Sequence, residues 1–365
     1  MSKARQLADL GNVYDDGALS HRRMTINGAM NVWQRGTSAD TATAGDYMCD
    51  RWEVNFSGLD GNVDWDQETS STPDGFAYAL KVSTDASETS LDAGDFLIIN
   101  HHFEGQDLQH LQKGSSGAKK LALSFWARSS VASTYTVEVY DSDNTRAISK
   151  SYTIDTADTW EYKTIVVDGD TSGSLNNDAN KSLTLSFWID GGSTFTGGTF
   201  SDTWTSVTTN QRLYDTTGWL ESTSPTFYLT GVQLEVGDTA TPFEHRSYGD
   251  ELQRCKRYYR RISTTDSSSH LAFAYGLNYS STAFLGGLNL SPEMRAVPSF
   301  STNVFNDSSL VVVRNGNTST ISAVSITGTG ACVRLNATSS SLTAGDGAFL
   351  QLNQAGSYVD FDAEL

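Results

Sequence analysis

A cluster of histidine and acidic side chains between residues 101 and 110 is where catalysis or metal binding would first be sought in this sequence. Its members are His101, His102, Glu104, Asp107 and His110. A His-x-x-Glu pair can hold a metal ion when both side chains face the same way on a helix. Here a strand-like run leads into the cluster from Phe96, and Gly105 interrupts any helix. The sequence therefore favours a structural segment, and we assign no metal ligand.

The sequence motifs of common hydrolases and nucleotide-binding enzymes are absent from the chain. It contains no Gly-x-Ser-x-Gly elbow, no phosphate-cradling glycine loop and no His-Glu-x-x-His. Asp64 and Asp66 are the residue type that hydrolyses glycosides, but such pairs are expected by chance among 43 acidic residues. We therefore interpret the protein as non-enzymatic. A glycan-degrading spike is the alternative, and it would need an acid pair in a cleft.

Two nearly identical segments are the best candidates for a ligand surface: residues 121–126 (Leu-Ala-Leu-Ser-Phe-Trp) and residues 183–188 (Leu-Thr-Leu-Ser-Phe-Trp). Side chains on a strand alternate between two faces, so each segment directs Leu, Leu and Phe to a core and leaves Trp126 or Trp188 on a polar face. A sugar ring can stack on an indole held there. Trp204 and Trp219 lie in Gly- and Thr-rich loops and are predicted to line a rim. Alternatively, these tryptophans pack under a loop or against another subunit.

The elements that would position these residues are short strands. The chain has 31 glycines and only five prolines, a composition typical of all-β proteins with many tight turns. Alternating patterns recur from residue 25 to 247 and again from 263 to 365, after a Ser- and Thr-rich stretch. The sequence predicts an all-β protein with a jelly-roll β-sandwich, a short helical collar and a smaller C-terminal β-domain.

The sequence at the junction between the two β-domains predicts a strand, a loop and a short helix. The apolar parity of the strand switches at Gly231, which indicates a bulge. On the helix, expected over residues 249–262, apolar residues recur at spacings of three and four and form a heptad-like stripe. The stripe consists of Leu252, Cys255, Tyr259 and Ile262. We expect it to meet its copies at an oligomer axis; the alternative is that it packs on its own sandwich.

Several short motifs along the chain resemble those of tailed-bacteriophage tail fibre and related virion proteins. Near the N-terminus they are residues 27–30 (Asn-Gly-Ala-Met) with 33–36 (Trp-Gln-Arg-Gly), then 50–52 (Asp-Arg-Trp), and then 103–105 (Phe-Glu-Gly) ahead of 123–126. At the junction they are residues 231–235 (Gly-Val-Gln-Leu-Glu), 241–246 (Thr-Pro-Phe-Glu-His-Arg) and 255–259 (Cys-x-Arg-Tyr-Tyr). Beyond the junction, residues 293–295 (Glu-Met-Arg) are followed by Pro298. The strand order around residues 157–162 also resembles carbohydrate-binding-module jelly rolls, more weakly.

This resemblance implies an oligomeric virion protein with a structural or host-recognition role. We expect residues 1–24 to anchor it to other tail proteins, 25–247 to form the jelly roll, 248–262 the oligomerisation helix and 263–365 the distal domain. The predicted function is a homotrimeric tail fibre that attaches the virion to host-surface glycan, assembled in the bacterial cytoplasm. The alternative is a structural virion component, such as a capsid decoration protein or head fibre, without a receptor role.

The charge and the cysteine content of the chain further narrow the classes of partner and ligand that we expect it to bind. The formal net charge of −18 disfavours nucleic acid and anionic membranes, and no apolar run has the length of a membrane span. The three cysteines lie far apart without metal-ligand spacing. No cofactor is predicted. Structural calcium held by aspartates such as Asp168 and Asp170 is possible in a jelly roll, although no loop is diagnostic.

Overall fold

The computed structural model describes residues 22–264, 270–304 and 309–365. The chain divides into two compact units, one ending at Glu251 but including Leu365, and one from Leu252 to Glu364. We call them the sandwich unit and the barrel unit. Both consist almost entirely of strands, so the predicted all-β class is confirmed. The predicted anchor (up to residue 21) and the Ser- and Thr-rich stretch (residues 265–269) lie outside the described residues.

Twelve strands are described in the sandwich unit. In chain order they are β1 (Ser38–Ala39), β2 (Trp52–Ser57), β3 (Val63–Glu68), β4 (Ala79–Thr84), β5 (Phe96–Glu104), β6 (Leu121–Ser129), β7 (Thr134–Asp141), β8 (Arg146–Thr153), β9 (Glu161–Val167), β10 (Lys181–Gly191), β11 (Thr205–Ser206) and β12 (Thr226–Val236). Sheet 1 has the order β1-β3-β4-β12-β6-β9, and sheet 2 has the order β11-β8-β7-β10-β5-β2. The two antiparallel sheets form the jelly-roll sandwich predicted from the sequence.

The two repeated segments occupy equivalent strands of opposite sheets. Residues 121–126 lie in β6 of sheet 1, and residues 183–188 lie in β10 of sheet 2. Their inward phenylalanines meet in the core, because the rings of Phe125 and Phe187 are 5.0 Å apart and nearly perpendicular. Both rings are fully buried. The predicted parity of the two segments is therefore confirmed, and each tryptophan starts from the outer face of its sheet.

The helices of the sandwich unit are short. They comprise α1 (Ser193–Thr196) and two 3-10 helices, Gly105–Leu111 and Thr209–Gln211. The cluster around His101 is thus strand followed by 3-10 helix: the expected strand is present, but a 3-10 helix that the sequence had not indicated begins at Gly105.

The junction helix α2 covers only Tyr248–Cys255. A turn follows, in which the Tyr258 N–H donates to the Cys255 carbonyl at 2.9 Å, and Tyr259–Ser263 continues as strand β13. The prediction of a helix through Ile262 was therefore wrong. Successive tyrosines favour strand over helix, and β13 gains a full ladder by pairing with Tyr358–Asp362. No helix among the described residues is long and apolar enough to cross a membrane.

The barrel unit contains β13 and eight further strands. They are β14 (Leu271–Asn278), β15 (Ala283–Asn289), β16 (Ser299–Thr302), β17 (Leu310–Arg314), β18 (Asn317–Gly328), β19 (Cys332–Ser339), β20 (Gly347–Leu352) and β21 (Tyr358–Asp362). Six of them close into a barrel in the order β14-β15-β19-β18-β17-β20, and β13-β21-β16 form a small sheet. The unit has its own apolar core, which includes Phe284, Leu335 and Phe361.

Candidate functional site

Trp126 lies on the outer face of sheet 1 and is only partly buried. Its partner across the β6–β9 ladder is Tyr162, whose side chain points the same way and is 45 % exposed. The two ring centroids are 5.3 Å apart. The structure thus keeps Trp126 as a surface aromatic and places next to it a tyrosine that the sequence had indicated only as a strand residue.

The aromatic surface continues from Trp126 across the sheet. Phe76 lies beside it, with Phe243 at 5.0 Å and His245 at 5.3 Å between ring centroids. His245 is exposed, and Phe76 and Phe243 are partly buried. We call Tyr162, Trp126, Phe76, Phe243 and His245 the aromatic strip. Its five rings run across sheet 1 rather than along a strand, so no sequence periodicity could reveal it.

Gly231 lies between Trp126 and Phe76 and allows these two parts of the strip to approach each other. The β12–β6 register shifts between Thr230 and Gln233, and Gly231 has a φ of 62°, so the predicted bulge is confirmed. A Cβ at Gly231 would lie 2.7 Å from Phe76 Cζ and 3.1 Å from Trp126 Cδ1. Both contacts are closer than van der Waals packing allows, so only glycine fits between the rings as they stand.

The loop that carries Phe76 is fixed by hydrogen bonds at its start. Glu68 Oε1 accepts from the Ser70 and Ser71 N–H groups, at 2.6 and 3.0 Å. Burial alone would raise the pKa of Glu68, but these bonds outweigh it and hold the pKa below its ordinary value. Ser71 in turn accepts from Trp160 Nε1 at 2.7 Å through its carbonyl. Phe76 therefore sits on an anchored loop, which limits the entropy lost when a ligand stacks on it.

The loop that carries Phe243 and His245 is fixed equally well. The Glu244 N–H donates to Gln233 Oε1 at 2.8 Å, and the Arg23 guanidinium stacks on the Phe243 ring at 4.8 Å from its centroid. Burial would raise the pKa of Glu244, but the hydrogen bond from the Arg23 N–H and the charge of Arg246 lower it. Both loops that contribute to the strip are therefore fixed before a ligand binds.

Trp188 points outward from sheet 2 but is only 2 % exposed. Phe195 of α1 and Leu213 cover it, and the Arg212 guanidinium lies 4.9 Å from its ring centroid. The Arg212 guanidinium also forms two hydrogen bonds with Glu138, which has no exposed surface. The prediction that Trp188 offers a sugar-stacking face was wrong, because a distant segment of the chain seals it.

The two loop tryptophans are also occupied by the protein itself. Trp219 has no exposed surface and belongs to the core, so its prediction as a rim residue was wrong. Trp204 is partly buried, and its Nε1 donates to the Asp168 carbonyl at 2.6 Å. Lys113 lies over the Trp204 ring at 5.0 Å. Of the four predicted tryptophans, only Trp126 contributes to the aromatic strip.

The aspartates considered for calcium are paired with cations of the chain. Lys113 Nζ lies 2.5 Å from Asp141 and 2.9 Å from Asp170, and the Ser172 and Gly173 carbonyls complete its surroundings at 3.0 and 2.9 Å. Asp170 also accepts from Arg146. These hydrogen bonds outweigh the effect of burial and lower the pKa of Asp170. Asp168 pairs with Lys120 at the surface.

The paired histidines are buried structural groups. His102 sits between Glu53 and the Thr184 hydroxyl, and burial lowers its pKa more than Glu53 raises it. His101 Nε2 lies 3.1 Å from the Ile26 nitrogen, and burial together with the charge of Arg51 lowers its pKa well below the ordinary value. Both imidazoles are therefore neutral at pH 7, and each is held by contacts to its own unit.

Two of the motifs that resemble those of phage proteins contribute to one buried joint of the sandwich unit. The Asn27 side chain donates to the carbonyls of Val32 and Asp50, at 2.9 and 3.0 Å. Glu251 accepts from the Asn27 N–H at 2.6 Å and pairs with buried Arg23. These contacts tie residues 23–32, 50 and 251 together. The motif residues Asn27 and Asp50 therefore serve the scaffold, whereas Phe243 and His245, which lie in another of these motifs, belong to the aromatic strip.

The four predicted oligomer residues do not form one helical stripe. Cys255 and Tyr259 are buried within the chain, with 0 % and 2 % exposure. Ile262 packs against the barrel core from strand β13, and Leu252 is partly buried. The helical collar was the sequence basis for a trimer, and this basis is lost. The trimer itself stays a prediction.

The fold and site define an all-β protein whose larger unit is a jelly-roll sandwich with an aromatic outer face. No protein-family model matches the chain, and no curated protein matches it. Among solved structures it is similar to the enzymatically active domain of bacteriophage CBA120 tailspike protein 4, with 11 % identity, a TM-score of 0.29 and coverage of 52 % of this chain and 20 % of that one. The chain thus spans about a fifth of the tailspike chain.

Two carbohydrate-binding domains match along their whole length. A family 11 carbohydrate-binding module of Clostridium thermocellum shows 12 % identity and a TM-score of 0.28, covering 55 % of this chain and 100 % of the module. The N-terminal cellulose-binding domain of Cellulomonas fimi β-1,4-glucanase C shows 14 % identity and a TM-score of 0.27, covering 57 % and 97 %. Identities and scores this low carry no argument about function.

Proposed function

We propose that this protein is a non-enzymatic tail fibre protein of a bacteriophage that binds host-surface glycan through the aromatic strip. One observation carries the proposal: Trp126 with Tyr162, and Phe76 with Phe243 and His245, form two groups of contacting rings on either side of Gly231 at the outer face of sheet 1, and Tyr162 is 45 % exposed. Apolar ring faces bordered by hydroxyl groups suit sugar rings, which have apolar C–H faces and polar edges. Exposed Thr164, next to Tyr162 on the same face, supplies one such hydroxyl.

The binding mechanism we propose is stacking on a rigid surface. The loops that carry Phe76 and Phe243 are already anchored, so little side-chain freedom is lost when a sugar binds. Single contacts of this kind are weak. Assembly as a homotrimer on a virion, joined to other tail proteins through residues 1–24, would multiply them by raising the effective concentration of each further site.

A second candidate function is a structural virion component without a receptor role, such as a decoration protein or head fibre. The buried joint of Arg23, Asn27 and Glu251 favours it, because Asn27, in one of the motifs that resemble those of phage proteins, serves the scaffold and not the strip. The two functions differ in what the protein binds. A fibre binds host cells, whereas a decoration protein binds emptied capsids.

The test is cell binding by the full-length protein, fluorescently labelled, against a panel of bacteria, with its mass measured by light scattering. Trp126→Ala combined with Tyr162→Ala should weaken binding by at least about tenfold, because aromatic anchors dominate such interfaces. Tyr214→Ala is the matched control, since Tyr214 is 53 % exposed and lies outside the strip. Undiminished binding by the folded double variant would remove the strip from the site. Release of reducing sugar from the bound glycan would contradict the non-enzymatic role.

A further inference from the structure

The barrel unit turns large side chains outward along β14. Tyr275 is 65 % exposed, Leu277 47 % and Tyr279, just beyond the strand, 69 %. The inward positions hold small residues, because the barrel wall is tight there: a Cβ at Gly276 would lie 1.9 Å from the Leu285 carbonyl oxygen. From Tyr275 onward the large residues of β14 therefore mark an outer surface, whereas Phe273 packs in the barrel core.

Beside Tyr275 this surface has a slot with a glycine floor. The register places Gly287 of β15 between Tyr275 of β14 and Arg334 of β19, all on the outer face. An added Cβ at Gly287 would meet nothing within 4 Å. Neighbouring strands are about 4.8 Å apart, so the backbones of Tyr275 and Arg334 are separated by roughly 10 Å. In the next row, Leu277 and Asn336 flank Leu285 in the same way.

Arg334 supplies a cation at this slot. It is exposed, and within the described part of the chain it has no ion pair or hydrogen bond. Arg314 of β17 is the other arginine on the six strands of the closed barrel, and it is paired with Asp346 at 2.6 Å. At physiological salt, charges farther than about 8 Å are largely screened, so Arg334 can attract an anion despite the negative net charge of the chain.

We propose that the slot binds an anionic saccharide, a sugar that bears a carboxylate. Its ring would lie over Gly287 against the Tyr275 face, its carboxylate would pair with the Arg334 guanidinium, and a hydroxyl would bond to the Asn336 side chain. The exposed patch of three side chains on β14 is far smaller than the roughly 800 Å² per partner of a stable protein interface, whereas it suits one sugar ring. The inference rests on the proposed glycan-binding role and adds a second site with a defined ligand class.

Glucuronic acid and glucose are matched probes, because they differ only in the carboxylate. Their binding to the full-length protein is measured by saturation-transfer NMR titration. We expect glucuronic acid to bind about tenfold more tightly, since a charge-assisted hydrogen bond is roughly twice as strong as a neutral one. Arg334→Gln should abolish this preference. Gly287→Val should block the slot at no cost to the backbone, while Gly347→Val, equally open but on the other side of Leu277, is the control.

A separate signal distinguishes the two sites. All eight tryptophans lie before residue 220, so tryptophan emission reports on the sandwich unit and not on the slot. Equal binding of the two sugars, or glucuronic acid binding that survives Gly287→Val, would overturn the slot and leave the aromatic strip untouched. A lower mass of the Gly287→Val variant in light scattering would also overturn it, by showing that the face joins copies of the chain. Failure of the strip variants to affect cell binding, with the slot intact, would instead overturn the proposed function of the strip.

Discussion

Trp126 and Trp188 end two nearly identical segments and leave their sheets on the same outward parity, yet their surroundings differ. Trp126 is partly buried within a strip of rings that reaches the surface at Tyr162 and His245. Trp188 is 2 % exposed beneath Phe195, Leu213 and Arg212. The strand sequence sets the face on which a side chain lies. The segment that crosses that face decides whether the side chain becomes surface or a second small core.

The largest expected effect separates the two tryptophans by stability. Trp188→Ala should lower the free energy of unfolding by about 3–5 kcal/mol, as large aromatic truncations in cores do. Trp126→Ala should cost roughly 1–2 kcal/mol, because less of its surface is buried. Urea denaturation of both variants checks this. Equal losses would mean that the outer faces of the two sheets are covered alike and would break the comparison.

A smaller effect is expected at Gly231, which only the strip requires. Gly231→Ala should cost roughly 1–3 kcal/mol of unfolding free energy, from the positive φ and from displaced rings. Gly218 is the matched control, since its φ is 71° and an added Cβ there would meet nothing within 4 Å. Gly218→Ala therefore carries the backbone cost alone. The difference between the two variants in thermal denaturation measures the ring contact, and no difference would mean that Phe76 and Trp126 do not depend on each other.

The smallest expected effect is a pH dependence of the unfolding free energy, caused by two buried histidines of sheet 2. His101 and His102 have pKa values below the ordinary 6.5 because they are buried. The unfolded chain therefore binds more protons below about pH 6.5. Stability should be complete above that pH and fall as the pH drops, by roughly 1–2 kcal/mol between pH 7.5 and 5.5. Thermal denaturation across this range should show the loss, and His102→Gln should reduce it. A stability that rises toward pH 5.5 would contradict the burial of these imidazoles.

Local patterns in the sequence were sufficient to predict the strands, the sandwich, the parity of Trp126 and Trp188 and the bulge at Gly231. Each of these depends on residues within one strand or one turn. The length of α2 was not predictable in the same way, because Tyr259–Ser263 becomes a strand by pairing with β21, almost a hundred residues later. Pairing with β21 therefore outweighed the helical spacing of the apolar residues, which is present in the sequence but extends over only a few turns.

The aromatic strip was beyond local reasoning for a related reason. Its five rings come from β6, β9 and two loops, and no sequence spacing connects them. Trp126 was identified because its own strand shows alternation. Phe243 and His245 lie in a motif whose resemblance to phage proteins pointed to family membership and not to a surface. Gly231 was the one available signal, since a glycine inside a strand often marks a close approach of other groups.

The joint between Arg23 and Glu251 has a mechanical consequence. Arg23 and Asn27 are bonded to Glu251, and the Arg23 N–H is bonded to Glu244. The chain is thus clamped to itself where the described residues begin and where the sandwich unit passes to Leu252. A force applied along the chain at these two points is borne in shear by a compact group of buried ionic and hydrogen bonds. Residues 24 and 25 are also bonded to the Leu234 and Val232 carbonyls of β12, so one strand of sheet 1 shares that load. We expect this joint to resist a force applied between residues 23 and 251 before the other strands of the sandwich are loaded.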